Sequence, residues 1–202
     1  MPFLDLKNIQ TYRIIRQLLK YSSERPAKPF QQKEIIKNAK VSKAWVSKVL
    51  KRLEMRGYVA KVSNGYLLRK PLDLISLFPL FRSMQSNLLQ TLDVQADREG
   101  LLKYLKKKKV VFCTTSALQR HSTYFKDPAI CFYSTADESI LENLRKTENG
   151  LVRVNIYKPD LLLELDIEEK AGMLMTSKIR TIIDLFCDNK AHTADELIKK
   201  MW

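Results

Sequence analysis

Glycine, cysteine and histidine are all scarce in this chain of 202 residues, which holds five, three and two of them. So few glycines leave no Gly-rich run of the kind that cradles phosphates in dinucleotide-binding and P-loop sites. Cys113, Cys131 and Cys187 are widely spaced with no CxxC pair, and only His121 and His192 accompany them. No zinc or other metal site is therefore expected, no cofactor is implied, and a reduced, cytoplasmic protein is the expectation. Long apolar runs are missing as well. The richest stretch, 74–81, is short and contains Ser76 and Pro79, so no bilayer span and no membrane partner are expected. The opening MPFLDLKNIQ lacks a basic region followed by an apolar core, so no signal peptide is expected either.

Positive charge, by contrast, is abundant and unevenly placed. The chain carries 36 Lys and Arg against 22 Asp and Glu, a net +14. Residues 1–70 hold 17 of those cations and four of the acids, whereas residues 71–202 are almost balanced. A charge serving solubility alone would not separate in this way, but a polyanion-binding module joined to a neutral one would. Three parts follow: a basic module over 1–70, a helical linker over 71–109 and a neutral domain over 110–202.

Ile9, Tyr12, Ile15 and Leu19 recur at helical spacing over 6–21, and the proline-containing SSERPAKP breaks that pattern. A short helix over 31–39 follows, then Lys40 and Val41 as a tight connection. Ser42 is a natural N-cap for a third helix. There Val46, Val49, Leu50 and Leu53 form one buried face. The opposite side carries Ala44, Ser47, Lys48 and Lys51, flanked by Lys43, Trp45 and Arg52. Small residues beside cations let a helix approach a major groove while its rim meets phosphates. Gly57 ends the helix, strands follow over 58–62 and 66–69, and Ser63-Asn64-Gly65 turns between them. Lys61, Ser63, Asn64, Arg69 and Lys70 would meet the flanking backbone, with Lys37 and Lys40 adding phosphate contacts.

The segment VSKAWVSKVLKRLEMRGYV (41–59) resembles the recognition helix and first wing strand of MarR-like winged helix-turn-helix regulators. Ser42, Val46-Ser47, Leu50, Leu53-Glu54, Gly57 and Tyr58-Val59 carry the likeness. It implies a sequence-specific double-stranded DNA binder, a transcriptional repressor working as a dimer. Positioning would fall to Lys37, Lys40, Lys43, Arg52, Lys61 and Arg69, and reading to Ala44, Trp45, Ser47, Lys48 and Lys51.

Beyond residue 70, apolar residues over 72–92 read as a helix kinked at Pro79. A further helix over 97–108 ends in the run Lys106–Lys109. Strands over 110–113, 129–133, 151–157 and 161–165 then alternate with helices over 115–121, 138–146, 177–187 and 193–201. Turns are expected at Asn149-Gly150 and Pro159-Asp160. Ile179, Ile182, Ile183 and Phe186 would face inward, and Thr193 with Glu196 would cap the last helix. The fold class is α+β with a small mixed sheet. The strings TSALQRH (115–121) and MTSKIRTIIDLFCDNKAHTADELIKKM (175–201) resemble type IV abortive-infection (AbiE-type) antitoxins that also act as transcriptional regulators. That likeness implies autorepression and a nucleotidyltransferase-like toxin protein as partner of the neutral domain.

Catalysis finds little support. Glu164 and Asp166 have the spacing of a metal pair on one strand face, yet no Gly-Ser turn precedes them and Glu164 replaces the first Asp of Asp-x-Asp. They read as two surface acids at a strand end. Cys113, Ser116 and His121 lie close in sequence without a nucleophile elbow; Cys113 reads as core and His121 as a helix-end residue. No enzyme is expected, and a nucleotidyltransferase-like activity is the least supported alternative.

Overall fold

Asn8 starts the first helix by accepting the backbone N–H groups of Gln10 and Thr11 on its side-chain oxygen, which satisfies two otherwise orphaned donors. This helix, α1 (Ile9–Glu24), begins and ends three residues later than the periodicity suggests and buries Tyr12, Ile15, Leu18 and Leu19. A computed structural model of the chain describes residues 4–122, 125–134, 140, 144 and 151–202. They form two units, Met1–Phe81 with Ile198–Trp202, and Arg82–Leu197. The 71–109 stretch, expected as one helical linker, is divided between them.

In the first unit α1 is followed by α2 (Gln32–Ala39) and α3 (Lys43–Met55). Lys40 adopts φ +53 between α2 and α3, a left-handed residue that opens the three-residue connection. Ser42 caps α3, its Oγ accepting from the Trp45 N–H at 3.3 Å. Val46, Val49, Leu50 and Leu53 are buried as their spacing requires. Gly57 closes the helix at φ +71, and the Tyr58 N–H then returns to the Leu53 carbonyl, a C-terminal arrangement that favours glycine.

The strands β1 (Val59–Val62) and β2 (Gly65–Leu68) pair antiparallel through the two-residue turn Ser63-Asn64. Phe30 adds a bridge to Tyr66, with a hydrogen bond in each direction. Its ring lies between those of Tyr21 and Tyr66, with both centroid separations 6.2 Å. The bridge also fixes Gly65: at φ +139, a Cβ there would run into the Phe30 carbonyl. Gly65→Ala is expected to lower the stability of this unit by at least about 1–3 kcal/mol, the range of backbone strain alone. Urea unfolding followed by tryptophan fluorescence measures it, since both tryptophans, Trp45 and Trp202, lie in this unit; an unchanged midpoint would refute the packing account.

Residues 72–92 do not form the expected helix. They give a short α4 (Pro71–Ile75), a 3-10 turn at Phe78–Leu80, a short α5 (Met84–Asn87) and then an eight-residue strand, β3 (Leu88–Gln95). Leu88 and Leu92 fit helical and alternating spacing equally, and pairing with a distant strand decides between them. Along β3 every second side chain, from Leu88 to Val94, is the more buried one.

The second unit is built on a six-stranded mixed sheet of order β3-β6-β5-β4-β8-β7. Its other members are β4 (Val111–Phe112), β5 (Ile130–Tyr133), β6 (Leu151–Tyr157), β7 (Ile167–Lys170) and β8 (Met173–Thr176). Only β5–β6 and β4–β8 run parallel. Its described helices are α6 (Arg98–Lys107), α7 (Thr114–His121) and α8 (Lys178–Cys187), and the last helix, α9 (Asp195–Met201), begins in this unit and ends in the first. Val94, Val154, Ile130, Phe132, Phe112 and Met175 line one buried cluster with Leu101 and Leu105 of α6.

Two other expectations are corrected. Residues 161–165 are not a strand: Leu161 is exposed, and a 3-10 turn covers Leu163–Asp166. The strand begins only at Ile167 and forms a hairpin with β8 through Ala171-Gly172, both left-handed, as a type I′ connection requires. The sequence reading missed that hairpin because every residue of β7 is exposed. Thr193 does not cap the last helix; it sits inside a 3-10 turn (Ala191–Ala194), its hydroxyl donating to the Lys190 carbonyl. The helix expected over 138–146 and the Asn149-Gly150 turn lie outside the described residues. Among those described, no helix is long and apolar enough to cross a membrane, and all three cysteines are buried free thiols.

Candidate nucleic-acid interface

The outward side of α3 follows from its inward side. With Val46, Val49, Leu50 and Leu53 buried, the roughly 100° advance per residue leaves Ser42, Lys43, Ala44, Ser47, Lys48 and Lys51 exposed. Among the described residues, Lys43, Lys48 and Lys51 are in no ion pair. No acid occupies the first turn of α3, so the positive end of its dipole is uncompensated there. Arg52 is half-buried at the edge of this side. Lys37 and Lys40 are exposed at the end of α2, and Lys61, Ser63, Asn64 and Arg69 are exposed on or beside the hairpin. Lys70 is exposed too, 3.9 Å from Asp73 in a surface pair of small energetic weight.

Two positions are less free than their spacing suggests. The indole N–H of Trp45 donates to Thr11 Oγ1 of α1 at 3.2 Å, so the one polar hydrogen of that side chain is already used. Its ring lies 5.0 Å from Lys48 Nζ, close enough for a cation–π contact that holds the ammonium in place. Ser47 Oγ donates to the Lys43 carbonyl at 2.9 Å and accepts from Gln32 Nε2 at 2.6 Å. Gln32, the first residue of α2, thereby joins this side; nothing in the sequence singles it out. No family model matches this chain, and neither does any curated protein or solved structure.

The candidates of the second unit are placed differently from a reaction centre. Asp166 is buried, accepting the Ser177 hydroxyl at 3.2 Å, while Glu164 is exposed in the same 3-10 turn. The two acids do not share a strand face, and Asp166 lies in the interior rather than at the surface expected from the sequence. Ser116 Oγ accepts from the Cys131 N–H at 2.8 Å, and His121 Nε2 donates to the Thr176 carbonyl at 2.8 Å. Burial pushes the Cys113 thiol well above its ordinary range, away from a reactive thiolate.

Burial likewise lowers the His121 pKa below its usual 6.5, outweighing the Thr176 carbonyl and Glu168, which favour the charged ring. A folded-state value below the unfolded one means the unfolded chain binds the proton more readily. The contribution is complete above pH 6.5 and is lost as the pH falls from there through the lower folded value, at no more than about 1.4 kcal/mol per pH unit. Urea unfolding near pH 7.5 and pH 5.5 (about one unit either side of the imidazole midpoint) is expected to show this loss in the natural chain. The loss is smaller in His121→Gln; equal losses would overturn the assignment.

The densest polar cluster was not anticipated. Arg180 and Asp184, four residues apart on α8, are fully buried, with Nε and Oδ1 2.8 Å apart. Arg82 Nη1 reaches the same carboxylate at 2.5 Å, and the Tyr133 hydroxyl donates to its other oxygen at 2.9 Å. Asp160 completes the group, 2.6 Å from Arg180 Nη2 and 3.1 Å from Arg82 Nε. Burial would raise the Asp160 pKa, but Arg180 and Arg82 outweigh it and hold the carboxyl below its usual range. Two guanidiniums face two carboxylates, a neutral set that fixes structure. The signal that would have found it is an Arg and an Asp at i and i+4 inside the apolar stretch 179–187, whereas Phe186, expected inside, is only half-buried.

Proposed function

We propose that this protein is a sequence-specific double-stranded DNA-binding regulator of the winged helix-turn-helix kind, with α3 in the major groove and the β1–β2 hairpin as a wing on the phosphate backbone. The observation that carries this reading is the outward side of α3. It sets small residues, Ala44 and Ser47, among Lys43, Lys48 and Lys51, which no carboxylate among the described residues neutralises. Small side chains permit close approach to base edges, and lysines without protein partners have phosphates or guanine edges left to bind. The concentration of charge in residues 1–70 supports a polyanion as ligand. Lys48, held over Trp45, and the Ser47–Gln32 pair are the reading groups; Lys37, Lys40, Lys43, Lys61 and Arg69 position the duplex.

The two roles separate experimentally. Lys48→Ala and Ser47→Ala are expected to change the ranking of duplexes selected from a random pool, by about 1–3 kcal/mol at the contacted base pair for a bidentate contact. Lys61→Ala is expected to weaken all duplexes alike. Gel-shift titration of the natural chain and these variants on selected and scrambled duplexes makes the test. If all three keep natural affinity and natural preference, the reading fails.

A further inference from the structure

The second unit contains a cleft of about 450 Å³ bordered by α6, α7, Ser122 and residues 125–127. Small-molecule sites span about 300–1,000 Å³, so the size suits a ligand rather than a single water. Its wall carries Arg98, Arg120 and Lys126 against the single carboxylate of Asp127. Part of that set is already committed. Arg98 donates to the Pro128 carbonyl and, at 3.3 Å, to Gln119 Oε1, while Asp127 Oδ1 accepts the Ala129 N–H at 2.8 Å. Arg120 and Lys126 are exposed, and no described acid pairs with either side chain.

An independent observation lies deeper in the same wall. Ser122 is only 5 % exposed, and its hydroxyl has no hydrogen-bond partner among the described residues. Buried hydroxyls are seldom left so, because each one forfeits its bonds to water on folding. Ser116, also on the wall, has its oxygen occupied by the Cys131 N–H and keeps its own proton to donate. Leu102 and the half-buried Phe125 supply the apolar side.

We propose that this cleft binds a small phosphate ester bearing a planar ring, a ligand of mononucleotide size. The excess of two positive charges on the wall matches a phosphate monoester dianion. Arg120, Lys126, Ser122 and Ser116 together offer donors for three terminal oxygens, one more than a carboxylate has. Phe125 offers a ring face on which a base stacks. The proposal concerns the second unit alone and stands apart from duplex recognition by the first.

Calorimetric titration of the full chain with adenosine and uridine monophosphates, the matching nucleosides and inorganic phosphate tests it. The monophosphates are expected to bind, and both the nucleosides and inorganic phosphate to bind at least about tenfold more weakly, a difference of about 1.4 kcal/mol. The double variant Arg120→Ala/Lys126→Ala lowers monophosphate affinity at least about tenfold, and Phe125→Ala removes the advantage over inorganic phosphate. Arg120 and Lys126 are exposed and Phe125 is half-buried, and circular dichroism checks that the variants fold. Lys43→Ala/Lys48→Ala in the first unit leaves the affinity unchanged. Absence of monophosphate binding up to about 1 mM, equal binding of inorganic phosphate, or an undiminished affinity in the double variant overturns the proposal.

Discussion

Asp184→Ala is expected to destabilise the second unit by about 3–5 kcal/mol, the range found when one partner of a buried ion pair is removed. The substitution leaves two guanidiniums, Arg82 and Arg180, with only Asp160 to balance them; of the two carboxylates that both arginines touch, Asp184 is the fully buried one. Arg180 has no exposed surface through which to regain water, and the Tyr133 hydroxyl loses its acceptor as well. A typical domain has about 5–15 kcal/mol in all, so this single change removes a large share. Asp160→Ala is expected to be milder, because the Asp160 side chain is a quarter exposed and water replaces part of what is lost. Both tryptophans report on the first unit, so the comparison calls for amide hydrogen exchange across α8 and β5. An Asp184→Ala variant whose α8 amides keep natural protection would show that the cluster contributes little to folding.

The triple variant Lys37→Ala/Lys43→Ala/Lys61→Ala gives the largest expected change in binding. If each lysine neutralises one phosphate, removing three reduces the slope of log K against log salt by about 2.7, and at about 0.15 M salt duplex affinity falls about 10²-fold. The loss applies to selected and scrambled duplexes alike, since phosphates carry no base identity. All three side chains are exposed, so stability is expected to stay within about 0.5 kcal/mol of the natural value. Fluorescence anisotropy over a salt series measures slope and affinity together. A triple variant with the natural slope would remove these lysines from the interface.

Where an element forms from neighbours in sequence, the chain alone was enough. The first three helices, the capping of α3 by Ser42, the left-handed Gly57 and the Ser63-Asn64 turn all depend on contacts within a few residues. The exposed side of α3 was legible for the same reason, because a helix with one apolar face must turn the other outward. The engagements of Trp45 with Thr11 and of Ser47 with Gln32 were not, since those partners lie 34 and 15 residues away.

Composition and local spacing thus determined that a basic, helical module precedes a nearly neutral α+β one, and which side chains of α3 meet solvent. Tertiary structure alone decided that Leu88–Gln95 is a strand, and that Asp166 and the Arg180 and Asp184 side chains of α8 are buried. A strand needs a hydrogen-bonding neighbour, and a buried charge needs an opposite one. Here both come from far along the chain: Arg82 lies 102 residues before the Asp184 it binds, and β3 pairs with β6 across 56 to 69 residues.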